Sequence, residues 1–343
     1  MEFVSYDGNR RTIISNTARQ ALPNEILTIS FKSSKQRLLS QLHEACTGMG
    51  LFYLQDHNIP ISTIEEAFEM SRRFFDQEAG LKQASHHEKF GNVLRGYEDA
   101  TEVVTIETGG EGVNEAFNWG YEKGMDLLYP KEEEDTTQRG ESQDSPMEEG
   151  NVWPSTPSGF RNILEEYYTA HLTLCRHLST LFAETLNLPP ETFTPFFSKP
   201  GATARLVHYP PQSSHPPSYG LAAHTDIECF TIVAQDSIPG LQVLNTVGEW
   251  LHVPPIPGTL VVNIGDMFGR MTNDLFTSAV HRVWNISGVE RYAGVFFFGV
   301  DFGSDLETLE VCLNGELKYE PVVAGEYVLE RLTRNRQPLG NEA

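Results

Sequence analysis

The feature that most constrains this chain is a change of hydrophobic period. Up to about residue 200 the apolar residues recur at helical spacing, and from Thr203 onward they alternate with a period of two in short runs. The runs are 203–209, 228–234, 241–244, 249–253, 259–264, 278–284 and 294–302. Turn sequences such as Pro239-Gly240, Thr246-Val247-Gly248 and Pro257-Gly258 separate them. Many short strands with turn chemistry between them predict two sheets packed face to face, a double-stranded β-helix or jelly roll of the cupin kind.

The first half reads as helices around one strand. Ser33-Ser34-Lys35-Gln36 has the pattern of a helix start, with Leu38, Leu39, Leu42, Ala45 and Cys46 following on one face. Gly48 is expected to end that helix at positive φ. Residues 50–54 read as a strand and Asp56-His57-Asn58-Ile59-Pro60 as a turn. A capping box, Ser62-Thr63-Ile64-Glu65, then opens a helix that buries Ile64, Ala67, Phe68, Ser71, Phe74 and Phe75. A long helix is predicted over 160–186, ended by Pro189-Pro190. Residues 131–150 hold eight acids and two bases with almost nothing apolar to bury, and predict a mobile surface insertion. The expected organisation is α+β with a mainly β core: an N-terminal region (1–130), the insertion (131–150), a bracing helix (151–199), the jelly roll (200–302) and a C-terminal extension (303–343), packed as one unit.

A formal net charge of −22 argues against nucleic acid or an anionic membrane surface as partner, since no Lys/Arg run offsets it. Cys46, Cys175, Cys229 and Cys312 lie far apart without CxxC spacing, as expected of reduced thiols. The chain has no signal-type apolar run near its start and no stretch approaching ~18 apolar residues. Its last residues, LGNEA, match no retention or lipidation signal. The expected location is the cytosol.

His224-Thr225-Asp226 is the most informative tripeptide. Residues i and i+2 of an extended segment project to one face, so an imidazole and a carboxylate can share an ion. His281, in Ser278-Ala279-Val280-His281-Arg282-Val283, is the candidate third ligand. Two imidazoles and one carboxylate on one face of an octahedron leave three positions open, as iron(II) oxygenases require. The same donors also suit zinc for hydrolysis, so both metals stay open on the residues alone. His43, His57, His86, His87, His171, His177, His208, His215 and His252 read as surface or satisfied core residues.

Taken together, His224-Thr225-Asp226, Val262-Asn263-Ile264-Gly265-Asp266, His281-Arg282-Val283 and Arg291 resemble the 2-oxoglutarate and iron(II)-dependent dioxygenase superfamily. The similar branch is the one containing isopenicillin N synthase and the plant and fungal oxygenases of secondary metabolism. Gly50-Leu51-Phe52-Tyr53-Leu54, Asp56-His57-Asn58-Ile59-Pro60, Phe74-Phe75 and Arg95-Gly96-Tyr97 resemble its N-terminal region, so the likeness spans about 25–125 and 200–302.

The resemblance implies iron(II) ligation by His224, Asp226 and His281. It implies that Arg291 pairs with the distal carboxylate of 2-oxoglutarate and that Tyr209 donates a hydrogen bond to the same group. It also implies O2 as oxidant, ascorbate as an in vitro reductant, and a small organic substrate that is hydroxylated, desaturated or cyclised with release of succinate and CO2. Asp266 reads as a structural turn residue. Phe117, Trp119, Phe297 and Phe298 are candidates for either an apolar pocket or plain core. Two departures stand out. Arg291-Tyr292-Ala293 replaces the usual Arg-x-Ser, and His57-Asn58 replaces the common His-Gly, which Asn tolerates because it accepts left-handed backbone. Three alternatives remain at this stage: an oxidase of the isopenicillin N synthase kind that uses no 2-oxoglutarate, a jelly roll that binds a small molecule without turnover, and a zinc hydrolase.

Overall fold

The computed structural model describes residues 1–90, 95–100, 104–105, 110–128, 150–212, 219–313 and 315–334. Residues 131–149 of the acidic insertion lie outside the described residues. In chain order the elements that matter here are β1 (Ser15–Gln20), β2 (Thr28–Ser30), α1 (Lys35–Thr47), β3 (Leu51–Gln55), α2 (Ile61–Phe75), β4 (Gly96–Glu98), β5 (Glu115–Gly120) and α3 (Phe160–Thr185). There follow β6 (Pro200–Tyr209), β7 (Leu221–His224), β8 (Phe230–Gln235), β9 (Leu241–Leu244), β10 (Glu249–His252) and β11 (Thr259–Ile264). The last are α4 (Asp266–Met271), β12 (His281–Val283), β13 (Arg291–Asp301) and α5 (Ala324–Arg334).

An eight-stranded sheet, ordered β2-β3-β11-β8-β13-β6-β5-β4, faces a five-stranded sheet, ordered β7-β12-β9-β10-β1. This is the jelly roll, and its pairings are antiparallel except at β2 on β3 and β1 on β10. The large sheet is buried on both faces, so its strands read as nearly continuous apolar runs. Parity decides which side each residue serves. Tyr292, Phe296 and Phe298 of β13, with Ala204 and Leu206 of β6, pack outward under Leu42, Phe74, Leu164 and Phe182 of the helices. Ala293 and Val295, with Val207 and Tyr209, point inward toward Leu241, Val243 and Leu251 of the small sheet. Each fully buried Leu or Phe in these layers contributes about 1.5–3 kcal/mol, so burial binds the helices, α3 among them, to the outer face of the large sheet, while the sheet's inner face lines the barrel.

The structure differs from the sequence reading at several ends. Ser34 does cap α1, accepting from the Arg37 amide at 3.4 Å. Gly48, however, has φ −92°, and the left-handed position falls at Gly50, φ +75°. There a Cβ would stand 2.0 Å from the Thr277 carbonyl oxygen, so only glycine fits. The capping box at Ser62 does not form, because α2 starts two residues earlier, behind Pro60, and places Ser62 inside the helix. Asn58 takes φ +65°, the left-handed conformation for which Asn is suited. The strand expected over 278–284 is laddered only at His281–Val283, the strand expected from Glu228 begins at Phe230, and β13 begins early, at Arg291. The mostly exposed β1 and the C-terminal α5 are elements that the sequence reading left unassigned. No helix among the described residues is long and apolar enough to cross a membrane.

Candidate metal centre

His224 closes β7 and His281 opens β12, directly opposite each other in an antiparallel pair. Their ring centres are 4.3 Å apart. Each Nδ1 donates to the carbonyl two residues before it, Ala222 at 2.9 Å and Ala279 at 3.0 Å. That bond fixes the tautomer and turns both Nε2 lone pairs toward the same point. Both Nε2 atoms lie 3.7 Å from Asp226 Oδ1, and the three donor atoms are all within 4.8 Å of one another. Burial and neighbouring His281 hold the His224 imidazole down to about 4, against the pull of Asp226, so it is neutral at pH 7 as a ligand must be.

Asp226 is not on an extended strand, as the i, i+2 argument expected: the strand ends at His224 and the next five residues form a loop. What fixes the loop is the start of α4. The amides of Gly265, Asp266 and Met267 donate to the carbonyls of Cys229 (2.9 Å), Asp226 (2.8 Å) and Ile227 (3.1 Å). A Cβ on Gly265 would come within 2.2 Å of the Glu228 carbonyl oxygen, so glycine permits this docking. Asn263 Nδ2 reaches Asp226 Oδ2 at 3.4 Å. Asp266, expected as a turn residue, is buried and accepts from Thr225 Oγ1 at 2.9 Å and from Arg331 Nη1 at 2.6 Å.

A cavity of about 60 Å³ opens beside the triad, and Arg291, Tyr209, Ala293, Val295, Thr231, Phe297, Arg205 and Asn114 also line it. Arg291 is 1% exposed. Its Nε donates to Ile238 O and its Nη2 to Gln235 Oε1, both at 3.3 Å, while Nη1 is buried without a partner. A buried cation with an idle donor is costly unless a ligand meets it. Tyr209 stands opposite Arg291 in the β6–β13 register. Burial pushes its phenol up, against the effect of the Arg291 charge, so it remains a hydroxyl donor. The predicted site residues therefore share one cavity. Of the four candidate aromatics only Phe297 lines it; Phe117, Trp119 and Phe298 are on the helix-side faces and belong to the core.

Sequence reasoning missed Arg205, Asn114 and Arg331. Arg205 lies two and four residues before the inward-facing Val207 and Tyr209, and that parity was a usable signal. Its guanidinium pairs with Glu98 and donates to Asn118 Oδ1 at 3.0 Å. A much larger groove, about 860 Å³, lies beyond the helical layer between His57–Thr63 and α3, but it contains none of these residues.

Comparison with known proteins decides the family. The profile of the 2OG-Fe(II) oxygenase superfamily matches residues 200–300, and that of the non-haem dioxygenase in morphine synthesis N-terminal region matches 25–156. A 2-oxoglutarate-Fe(II) type oxidoreductase, ppzC, of Metarhizium majus is 32% identical across 94% of this chain and 90% of its own length. The chain belongs to the 2OG-Fe(II) oxygenase superfamily. The oxygenase is also 33% identical to the 2-oxoglutarate-Fe(II) type oxidoreductase hxnY of Emericella nidulans, over 86% of this chain and 84% of that one. Its fold matches that of a full-length Neurospora crassa protein crystallised in complex with alpha-KG and thymine, with TM-score 0.76, 23% identity and coverage of 92% of this chain and 99% of that chain. Iron(II) and 2-oxoglutarate are the cofactors of this family of oxidoreductases. Membership removes the zinc hydrolase and the binding-only jelly roll.

Proposed function

We propose that His224, Asp226 and His281 hold the iron, that Arg291 and Tyr209 receive the distal carboxylate of 2-oxoglutarate, and that the oxygenase oxidises a small organic molecule. The observation that carries this reading is the partnerless Nη1 of Arg291, buried in the cavity that the triad also lines. Iron(II) bound there, with 2-oxoglutarate and dioxygen, supplies the power to oxidise an unreactive C–H bond, releasing succinate and CO2.

The chain's own residues bind and orient. Arg291 offers a planar fork matched to a carboxylate, and Gln235 and the Ile238 carbonyl hold that fork still. Val207, Val295 and Val233 keep the space between carboxylate site and triad apolar, which excludes water. At the far end of the same inward stripe Arg205, Asn114 and Thr231 offer polar contacts, suited to a substrate with an apolar body and a hydrogen-bonding end. The net charge of −22 works against nucleic acid or an anionic membrane as substrate. Four free, buried cysteines support a reducing compartment such as the cytosol.

The test is aerobic incubation with iron(II), ascorbate and 2-oxoglutarate against a metabolite extract, following succinate and mass changes of about +16 or −2 for oxygen insertion or desaturation. One succinate per product is expected. Full product formation with 2-oxoglutarate rigorously absent would instead assign Arg291 to a substrate carboxylate.

A further inference from the structure

We infer that Arg331, on the C-terminal helix, is a positioning residue for the metal centre and sets where the Asp226 carboxylate lies. The inference rests on the assignment of Asp226 as a ligand. His224 and His281 are held by a strand ladder, but Asp226 sits past the strand end and has none. Its place depends on what grips the backbone on either side. Arg331 Nη2 reaches the carbonyl of Thr225, the residue before it, at 3.4 Å, and Nη1 holds Asp266 Oδ2 at 2.6 Å. Asp266 in turn takes the Thr225 hydroxyl at 2.9 Å and donates its amide to the Asp226 carbonyl at 2.8 Å. One guanidinium thus clamps the loop directly and through Asp266.

The clamp is anchored in the core that the C-terminal helix shares with the end of β13. Arg331 is 2% exposed, packs 4.7 Å from the Tyr6 ring centre, and also donates to the Tyr327 hydroxyl at 3.1 Å. It is the polar member of a stripe otherwise made of Ala324, Tyr327 and Val328. An arginine at a core position of a helix, with its fork filled by the two groups that fix a ligand loop, has a use beyond packing. Lysine would keep the charge but lacks a fork to reach both Asp266 and Thr225.

The test uses Co(II), whose visible d–d absorption reports affinity and ligand field without turnover. It is titrated into metal-free wild type, Arg331→Lys and the double variant Asp266→Asn/Arg331→Met, in which the residue-266 side chain no longer carries a buried charge that lacks its partner. Wild type should bind one Co(II). Both variants should bind about 10- to 100-fold more weakly, with a shifted spectrum, while the double variant melts near wild type. A folded variant with wild-type affinity and spectrum overturns the inference. A wild type that binds no Co(II) instead overturns the metal assignment. Hydrogen exchange on wild type decides the matter without any substitution. Since coupling is reciprocal, Co(II) should slow amide exchange in residues 324–334, and unchanged exchange there also overturns the inference.

Discussion

Arg291 and Tyr209 stand opposite each other on neighbouring strands, the guanidinium carbon 4.9 Å from the centre of the tyrosine ring. The ring supports the cation from one side, and two acceptors engage Nε and Nη2, which leaves Nη1 for a ligand. In the proposed function that idle donor is the one that meets the distal carboxylate.

Replacing Arg291 by Ala removes the charged half of a buried pair, a loss of about 3 kcal/mol or more. At ~1.4 kcal/mol per decade, the KM for 2-oxoglutarate should rise at least about a hundredfold. Tyr209→Phe keeps the ring and the Arg291 charge and loses one hydrogen bond to a charged group, about 1.5 kcal/mol at the low end, so its effect should be smaller, about tenfold. Steady-state succinate formation measures both. Equal effects from the two variants would contradict the division of labour.

The triad predicts a stability effect independent of turnover. A metal that binds only the folded state stabilises it by about 2.7 kcal/mol at a hundred times its Kd. Iron(II) or Mn(II) should therefore raise the melting temperature of wild type. The metal should do nothing for His224→Ala, Asp226→Ala or His281→Ala, each of which should fold yet not turn over. Two of three variants retaining both the thermal shift and activity would show that the metal lies elsewhere.

Ala293 faces the cavity between Val207 and Gln235 of the flanking strands, at the position that the Arg-x-Ser pattern of the resemblance gives to serine. A serine hydroxyl aimed at a carboxylate is worth about 1.5–3 kcal/mol when well made, but its own burial offsets part of that. Ala293→Ser should leave the KM for 2-oxoglutarate unchanged or lower it by up to about tenfold. A sharply raised KM would mean that the cavity has closed around the smaller side chain and that the distal carboxylate sits elsewhere.

The jelly roll was legible because its strands carry their own signal: alternating or continuous apolar runs, cut by Pro and Gly. The His224-x-Asp226 spacing also pointed to two side chains that the fold brings together, though for an incomplete reason, since Asp226 is carried by a loop docked on Gly265–Met267. His281 was legible from its strand-like segment and the resemblance, but that it lies directly opposite His224 is a matter of register, which neither strand contains alone. β1 was invisible because its polar residues have little to bury and it adds to an edge. Arg331 was hidden for the opposite reason. Ala324, Tyr327 and Val328 mark a helix face at the right spacing, but a charged residue completing the stripe reads as solvent-facing until its buried partner, Asp266, is known.

His171 was expected to be a surface or satisfied core residue; it is in the core and only half satisfied. Its ring lies between Tyr167, 3.9 Å centre to centre, and Phe296, at 5.6 Å. Nδ1 donates to the Tyr167 carbonyl at 2.8 Å, while Nε2 is buried without a partner. Burial pushes the imidazole down to about 3, against the opposing effect of the hydrogen bond to the Tyr167 carbonyl, and His57 adds a smaller push downward where it is itself protonated. The unfolded chain takes up that proton near pH 6.5, so between about 6.5 and 3 the unfolded state binds more protons than the folded one. Stability from this residue is fully present above pH 6.5 and is lost as pH falls, at about 1.4 kcal/mol per unit, or about 2 kcal/mol by pH 5. Phenylalanine keeps the stack and has no proton to gain. Urea unfolding of wild type and His171→Phe at pH 7.5 and pH 5 should show the wild type losing about 2 kcal/mol more than the variant. Equal losses would mean that His171 is protonated in the folded protein, with water or a local opening reaching Nε2.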